Sequence, residues 1–416
     1  MLEPQGTAFF LILMVVFAGL LAWAVIARHL VFRVLAACLA FIPAMIFGVA
    51  AVNRYYDYYQ TWGSVVADFT NQGVATVPQV PHLASKAGGI DKLGLSPAAR
   101  AEASQTGYLF ETMVKGRQSR ISRIVYIYLP PQYFLARYDS YRFPVIELLH
   151  GSPGNPQQWV DPMNVLPTLD DMIASRQADP AVLVMPDTDG SEKYSLQCLN
   201  AIGGVPDATY VAVDVPNFVA ANYRVQPPGK AWGVAGLSEG GYCAANLALQ
   251  YPARYGYAGV MSGYFAPTDN LVPIGNKPGA PAVYRPPFPG HTALREKNTP
   301  DIYITHLPAG TLIPQFLLAV GQQDALDVQA AQSFRQELQL YQANVPLVQV
   351  PNASHDATAW RGALRPMFSW MTPQLAHQAD LADKALAASE RARARAKAKK
   401  ATPSPAVTQT PVVPRK

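Results

Sequence analysis

The sequence predicts an α/β fold, a mostly parallel sheet flanked by helices, preceded by two transmembrane helices. Three observations lead there. From residue 106 onward, short apolar runs alternate with stretches of helical periodicity, as strands covered by helices on both faces do. A serine bracketed by glycines, Gly236-Leu237-Ser238-Glu239-Gly240, falls between one such run and the next helical stretch. Two uncharged apolar stretches, about 8–27 and 34–52, occupy the N-terminal part, and each is long enough to cross a bilayer.

Composition narrows the class. Of 416 residues, 50% are apolar and 15% charged, so a sizeable core is expected and a disordered chain is excluded. The net charge of +5 is uneven. Residues 391–416 hold eight of the 33 basic side chains and no acid, which leaves 25 bases against 28 acids, a net −3, before them. A nucleic-acid-binding domain carries its positive charge on the folded surface, so that class is excluded. Three cysteines rule out a disulfide-rich scaffold, and no Cys/His cluster has the spacing of a zinc site. Neither a metal nor a cofactor is expected.

Residues 1–62 read as a membrane hairpin. Only Glu3 precedes the first apolar stretch as a charge, and a signal peptide would need a basic n-region. A transmembrane helix is therefore preferred to a signal peptide with one anchor, or to buried core helices. Pro43 and Gly48 interrupt the second stretch, which membrane helices tolerate. The connection holds Arg28, His29 and Arg33, so the positive-inside bias places it in the cytoplasm and everything after Val52 outside. Arg54 is a weaker contrary signal. Tyr55, Tyr56, Tyr58, Tyr59 and Trp62 read as an interfacial aromatic belt, the alternative being the first amphipathic element of the next domain.

Residues 63–105, rich in Pro, Gly, Ala and Ser, read as a linker. The domain at 106–374 opens with an antiparallel strand pair at 108–114 and 123–129. Further strands are expected at 143–149, 182–185, 232–235, 259–261, 316–320 and 347–350, with helices at 210–222, 241–250 and 328–343. Residues 375–416 read as a largely disordered tail: an Ala-rich, helix-prone start, a basic stretch, then a Pro-rich end. A solvated tail is the default; contact with anionic lipid or wall polymer is the functional alternative.

Catalytic groups in such sheets stand at the carboxyl ends of strands. There, a G-x-S-x-G turn between strand and helix exposes the serine hydroxyl at a helix N-terminus. Ser238 is thus the candidate nucleophile, and the backbone N–H of Glu239 a candidate oxyanion donor. Among seven histidines, His29, His82 and His150 precede the serine, whereas the base follows it in this arrangement. His291 lies in a Pro/Gly-rich excursion, His306 precedes a strand, and His377 is in the tail. His355, in a loop just past a late strand, is the candidate base. Asp324, directly after the strand at 316–320, is the preferred acid, with Asp327 more suited to capping the following helix. The second oxyanion donor should come from His150-Gly151-Ser152-Pro153, where Pro153 has no N–H, so Gly151 or Ser152 must supply it. Trp159 is expected to pack under that loop and is a candidate substrate contact.

These residues carry a resemblance. Residues 107–371 resemble the esterase family of α/β-hydrolases that includes esterase D-like enzymes and actinobacterial mycolyltransferases. The matching stretches are Tyr128-Leu129-Pro130-Pro131-Gln132-Tyr133, Leu149-His150-Gly151, Gly236 to Gly241, Gly321 to Asp324, and Ser354-His355. The resemblance implies an α/β-hydrolase fold and an acyl-serine intermediate, with Ser238, Asp324 and His355 as triad and Glu239 and Ser152 as oxyanion donors. One departure stands out. The residue after the nucleophile, often apolar in this family, is Glu239. Either its carboxylate turns into a salt bridge, or it contacts a cationic group on the substrate, such as the amine of an aminoacylated lipid.

Cys38 lies in the second apolar stretch. Cys198 and Cys243 both belong near the carboxyl edge of the sheet, where outside the cell a disulfide is permitted; two buried thiols are the alternative. The expected function is a membrane-anchored extracytoplasmic serine esterase acting on a lipid or other ester. An acyltransferase would use the same triad, and a non-catalytic binding protein is a weaker third reading.

Overall fold

The computed structural model describes residues 3–56, 62, 75–76, 93–191, 194–273, 281–342 and 344–401. The two apolar stretches form α1 (Thr7–Ile26) and α2 (Leu30–Tyr56), and Pro43 lies inside α2 without ending it. Phe10 meets Phe47 edge to face near one end, and Trp23 stacks on Phe32 near the other, so the helices run antiparallel. Twenty residues of α1 rise about 30 Å, the thickness of a hydrocarbon core. Both helices are long and apolar enough to cross a bilayer, a property that a signal sequence near an N-terminus shares. Of the expected aromatic belt, Tyr55 and Tyr56 end α2, and Trp62 packs its ring against Phe9. Tyr58 and Tyr59 lie outside the described residues.

The expected linker is not featureless. Within 63–105, β1 (Ala75–Thr76) adds an edge strand and α3 (Pro97–Thr106) a helix. Ser96 accepts a hydrogen bond from the Ala99 N–H, and Pro97 occupies the first turn. Proline there sacrifices no hydrogen bond, so a residue read as a breaker marks a helix start.

From here the chain alternates as expected: β2 (Tyr108–Lys115), β3 (Ser122–Leu129), β4 (Val145–Leu149), α4 (Gln157–Val160), α5 (Val165–Ala174) and β5 (Val182–Pro186). The short turns Asp207–Thr209 and Tyr210–Asp214 wind into α6 (Val215–Asn222), followed by β6 (Gly229–Leu237), α7 (Glu239–Gln250) and β7 (Tyr255–Met261). A two-stranded excursion, β8 (Asn270–Pro273) and β9 (Ala282–Arg285), precedes α8 (Thr292–Lys297) and α9 (Pro300–Thr305). Then come β10 (Gln315–Gly321), α10 (Ala325–Leu338), β11 (Leu347–Val350) and α11 (Ala357–Ala401). The main sheet has the order β1-β2-β3-β5-β4-β6-β7-β10-β11. The β2–β3 and β3–β5 pairs are antiparallel, and every pair from β5 to β11 is parallel.

Every residue of β4 and β5 is buried, because helices cover both faces. Alternation along β5 divides the core. Val182 and Val184 face the side that holds Trp232, Phe316 and Phe334, whereas Leu183 and Met185 face Trp159, Leu169 and Phe368. β6 and β7 begin earlier than expected, at Gly229 and Tyr255, since their first residues mix small and polar side chains that mask the apolar run.

The reading of 375–416 as largely disordered is corrected. α11 runs unbroken to Ala401 and buries Leu375 and Ala379, while Gln226 Nε2 donates to the Ala379 carbonyl and to Asp383 Oδ1. The Ala-rich stretch has high helix propensity and simply prolongs a helix already anchored upstream. That anchor must offset Pro366 and Pro373, each costing about 3 kcal/mol in a helix interior. Leu364, Met367, Phe368, Met371 and Leu375 are fully buried, and at roughly 1.5–3 kcal/mol each they outweigh it. Residues 402–416 lie outside the described residues.

Cys198 and Cys243 form a disulfide with Cα atoms 5.5 Å apart, tying the 187–200 loop to α7; Cys38 is free and exposed. Replacing both paired cysteines by alanine is expected to lower stability by about 2–5 kcal/mol. Urea unfolding with and without reductant measures it, and reductant should leave the variant unchanged.

Candidate active site

Ser238 follows the last residue of β6 and precedes the first of α7. Its backbone sits at φ 53° and ψ −117°, a conformation that costs a non-glycine residue on the order of 1–3 kcal/mol. Close packing leaves no alternative. A Cβ on Gly236 would stand 2.0 Å from the Gly240 carbonyl oxygen, and one on Gly240 would stand 2.0 Å from the Leu149 oxygen. The two glycines therefore let β6, β4 and α7 converge beneath the serine, and the Ser238 N–H donates to the Met261 carbonyl at 2.9 Å.

His355 comes from the loop between β11 and α11. Its Nε2 lies 2.9 Å from Ser238 Oγ, and its Nδ1 lies 2.7 Å from Asp327 Oδ2. Asp324, the expected acid, is corrected here: its nearer oxygen stands 3.9 Å from Nδ1. The reason is local. Asp324 is the N-cap of α10, and its Oδ1 accepts from the Leu326 and Asp327 N–H groups. The roles of the two aspartates are exchanged, since the capping residue spends its carboxylate on the backbone while Asp327, three residues on, turns toward the imidazole. Burial disfavours the imidazolium, but the hydrogen bond and charge of Asp327, with Asp324 and Asp356 nearby, outweigh it and raise the His355 pKa above its ordinary value. Trp360 packs edge-on against the ring at 5.5 Å. Asp324, Asp327 and His355 are close enough to ligate a cation, yet both imidazole nitrogens are already engaged, an arrangement suited to relaying a proton.

The two expected oxyanion donors also stand near. The Gly151 N–H donates to Gln158 Oε1 at 3.0 Å, so of the two candidates in this loop the Ser152 N–H is the one left over. Among the described residues, the N–H groups of Ser152 and Glu239 make no hydrogen bond. Buried His150 supports the loop, with Nδ1 at 2.9 Å from the Gly151 oxygen and Nε2 accepting from the Thr188 N–H.

Neither candidate substrate side chain reaches the serine cavity. Trp159 is fully buried against the sheet core. Among the described residues Glu239 makes no salt bridge, and it turns away from the cavity: it accepts from Ser195 Oγ and, at 3.2 Å, from the Gln197 N–H. Beside it lies Asp189, which accepts from the Leu196 N–H and whose Oδ2 has no donor among the described residues. Burial pushes the Glu239 carboxyl up to about 7, and burial together with Glu239 raises Asp189. Nearly half of the cavity lining was not anticipated at all: Gln158 and Trp360, together with Val49, Val52 and Asn53 of α2, line the cavity of about 560 Å³ over Ser238. Trp360 follows His355 by five residues, where the first turn of a helix after the base would return toward it; nothing in the sequence marks the others.

Fold and site together define an α/β-hydrolase. The sequence model of the Putative esterase family matches residues 120–371, more than half of the chain, and the protein belongs to that family. An uncharacterised protein of Corynebacterium glutamicum is 28% identical over 246 residues, covering 57% of this chain and 53% of that one. The MPT51/MPB51 antigen of Mycobacterium tuberculosis is 39% identical over 61 residues, covering 15% of this chain and 20% of the antigen. Diacylglycerol acyltransferase/mycolyltransferase Ag85A of the same species is 37% identical over 65 residues, covering 16% and 19%. The chain thus spans about half the length of the first relative and about a fifth of the other two. Among solved structures, a ferulic acid esterase superposes with a TM-score of 0.52 at 19% identity, covering 65% of this chain and 98% of that one. An S-formylglutathione hydrolase from Agrobacterium tumefaciens gives 0.50 at 15%, covering 65% and 96%. At these identities the likeness is one of fold.

Two outcomes test the site. Asp327→Asn should cost about 10²–10⁴-fold in kcat, whereas Asp324→Asn, still a good cap, should cost less than about 10-fold. If the neutral imidazole acts as base, activity should rise with pH through the His355 pKa, and losing the Asp327 charge should move that limb to lower pH in a kcat/KM profile. The second outcome concerns Glu239. Its raised folded-state pKa contributes stability below the ordinary carboxyl range that is lost as pH rises through about 7. Thermal unfolding of Glu239→Gln at pH 5 and pH 8 should show a smaller loss than the native chain.

Proposed function

We propose that the protein is a serine esterase held at the extracytoplasmic membrane face, cleaving a lipid ester through an acyl-serine. The observation that carries this reading is the chain of contacts from Ser238 Oγ through His355 to Asp327, at 2.9 and 2.7 Å, with the Ser152 and Glu239 N–H groups unclaimed beside it. As Ser238 Oγ attacks the ester carbonyl carbon, its proton passes to His355 Nε2. Negative charge develops on the carbonyl oxygen, where the two N–H groups and the α7 N-terminus stabilise it. Asp327 stabilises the imidazolium and keeps the other nitrogen protonated. Collapse expels the alcohol, which takes the proton from His355. Water then attacks the acyl carbon as His355 takes its proton, and collapse breaks the bond to Ser238 Oγ, which recovers that proton from His355 as the acid leaves.

The buried Glu239 carboxyl gives no support to an amine-bearing substrate. The membrane assignment is supported by α1 and α2 and by the Arg28, His29 and Arg33 connection. Acyl transfer to an alcohol is the second reading, favoured by the similarity to Ag85A; there a substrate hydroxyl replaces water. Contact between the basic residues 391–400 and anionic lipid fits either reading.

An alkyl fluorophosphonate should label the full-length protein in vesicles, and Ser238→Ala should abolish labelling. Retained labelling in that variant contradicts the reading. Product analysis with and without a long-chain alcohol separates hydrolysis from transfer: a hydrolase releases free acid at an unchanged rate, while a transferase diverts most acyl groups to the alcohol.

A further inference from the structure

One wall of the serine cavity is built by the second apolar helix. Val49, Val52 and Asn53 of α2 face Pro153, Leu237 and Trp360 across it. α2 lies outside the 120–371 match, so this wall comes from a part of the chain that the family model does not cover. Val52 and Val49 are 58% and 66% exposed, and Met45 and Ile42 continue the same exposure at 67% and 50%. Their spacing of three and four residues places all four on one helix face. The stripe from Ile42 to Val52 rises about 15 Å. It runs from the apolar middle of α2 to the edge of the serine pocket, and Arg54 is the first charged residue beyond it.

We infer that this stripe is an acyl track, along which one long chain of a bilayer-resident ester lies while its carbonyl reaches Ser238. The inference rests on the esterase reading and names its substrate class: a long-chain acyl ester taken laterally from the membrane, not from water. The chemistry favours that route. A chain passing from lipid to the stripe exchanges one apolar neighbour for another, whereas passage through water would expose each methylene. A short acyl group would leave most of the stripe unused. Asn53 and the polar loop at Ser152 stand where the ester group, leaving the hydrocarbon, first needs polar neighbours.

The test uses the full-length protein in phospholipid nanodiscs and a hexadecyl fluorophosphonate carrying a diazirine near the end of its chain. After labelling, irradiation and digestion, mass spectrometry should find the Ser238 peptide cross-linked to the α2 peptide spanning 42–52. Phosphonylated Ser238 with insertion only among residues 93–401 overturns the track and leaves the esterase reading intact. Absence of label on Ser238 overturns both. As a second measurement, Val52→Trp should lower the ratio of hexadecanoyl to acetyl ester turnover at least about 10-fold; an unchanged ratio overturns the track.

Discussion

The site depends on one constraint: three backbone segments meet under Ser238 with no room for a Cβ. The Leu149 carbonyl of β4, the Gly240 backbone of α7 and the end of β6 approach so closely that Gly236 and Gly240 admit no side chain. Ser238 is consequently held at φ 53°, and its hydroxyl is lifted off the sheet edge. The strain is small beside what fixes it. β4, β6 and β7 are neighbours in the buried middle of the sheet, so the turn cannot relax without unpacking the core. The other groups are brought to a nucleophile already in place, His355 and Asp327 by the loops after β11 and β10, Ser152 by the loop after β4.

Much of this was legible in sequence because it is local or periodic. Parallel strands buried on both faces read as apolar runs, the glycine spacing around Ser238 reports a steric demand, and His355 lies where a late strand ends. The choice of acid shows the boundary of such reading. Asp324 and Asp327 share the start of one helix, and which carboxylate turns to the imidazole depends on which one caps the helix. The Asp-Ala-Leu-Asp pattern does hold that information, since the first acid satisfies the free N–H groups of the first turn. Long-range pairings were not accessible in the same way. The burial of Leu375 beyond two prolines, the edge strand at Ala75–Thr76, and the α2 wall over the serine all depend on what the tertiary fold brings together.

Glu239 illustrates how a family departure is accommodated. A carboxylate beside an oxyanion hole would oppose the developing charge if it were ionised and facing it. Here it faces the opposite way, its oxygens meet the Ser195 hydroxyl and the Gln197 N–H, and burial raises the pKa of both Glu239 and the neighbouring Asp189. The same loop carries Cys198, whose disulfide to Cys243 joins it to α7. An acid that is out of place in the family pattern thus becomes part of the support behind α7.

The central claim is that Ser238 carries the acyl group between two half-reactions. Acid quenching within a single turnover of a long-chain ester, followed by tandem mass spectrometry, tests it most directly. The acyl mass is expected on the peptide containing Ser238, localised to that serine. Turnover with the acyl group on another residue, or on none at any quench time, would contradict it.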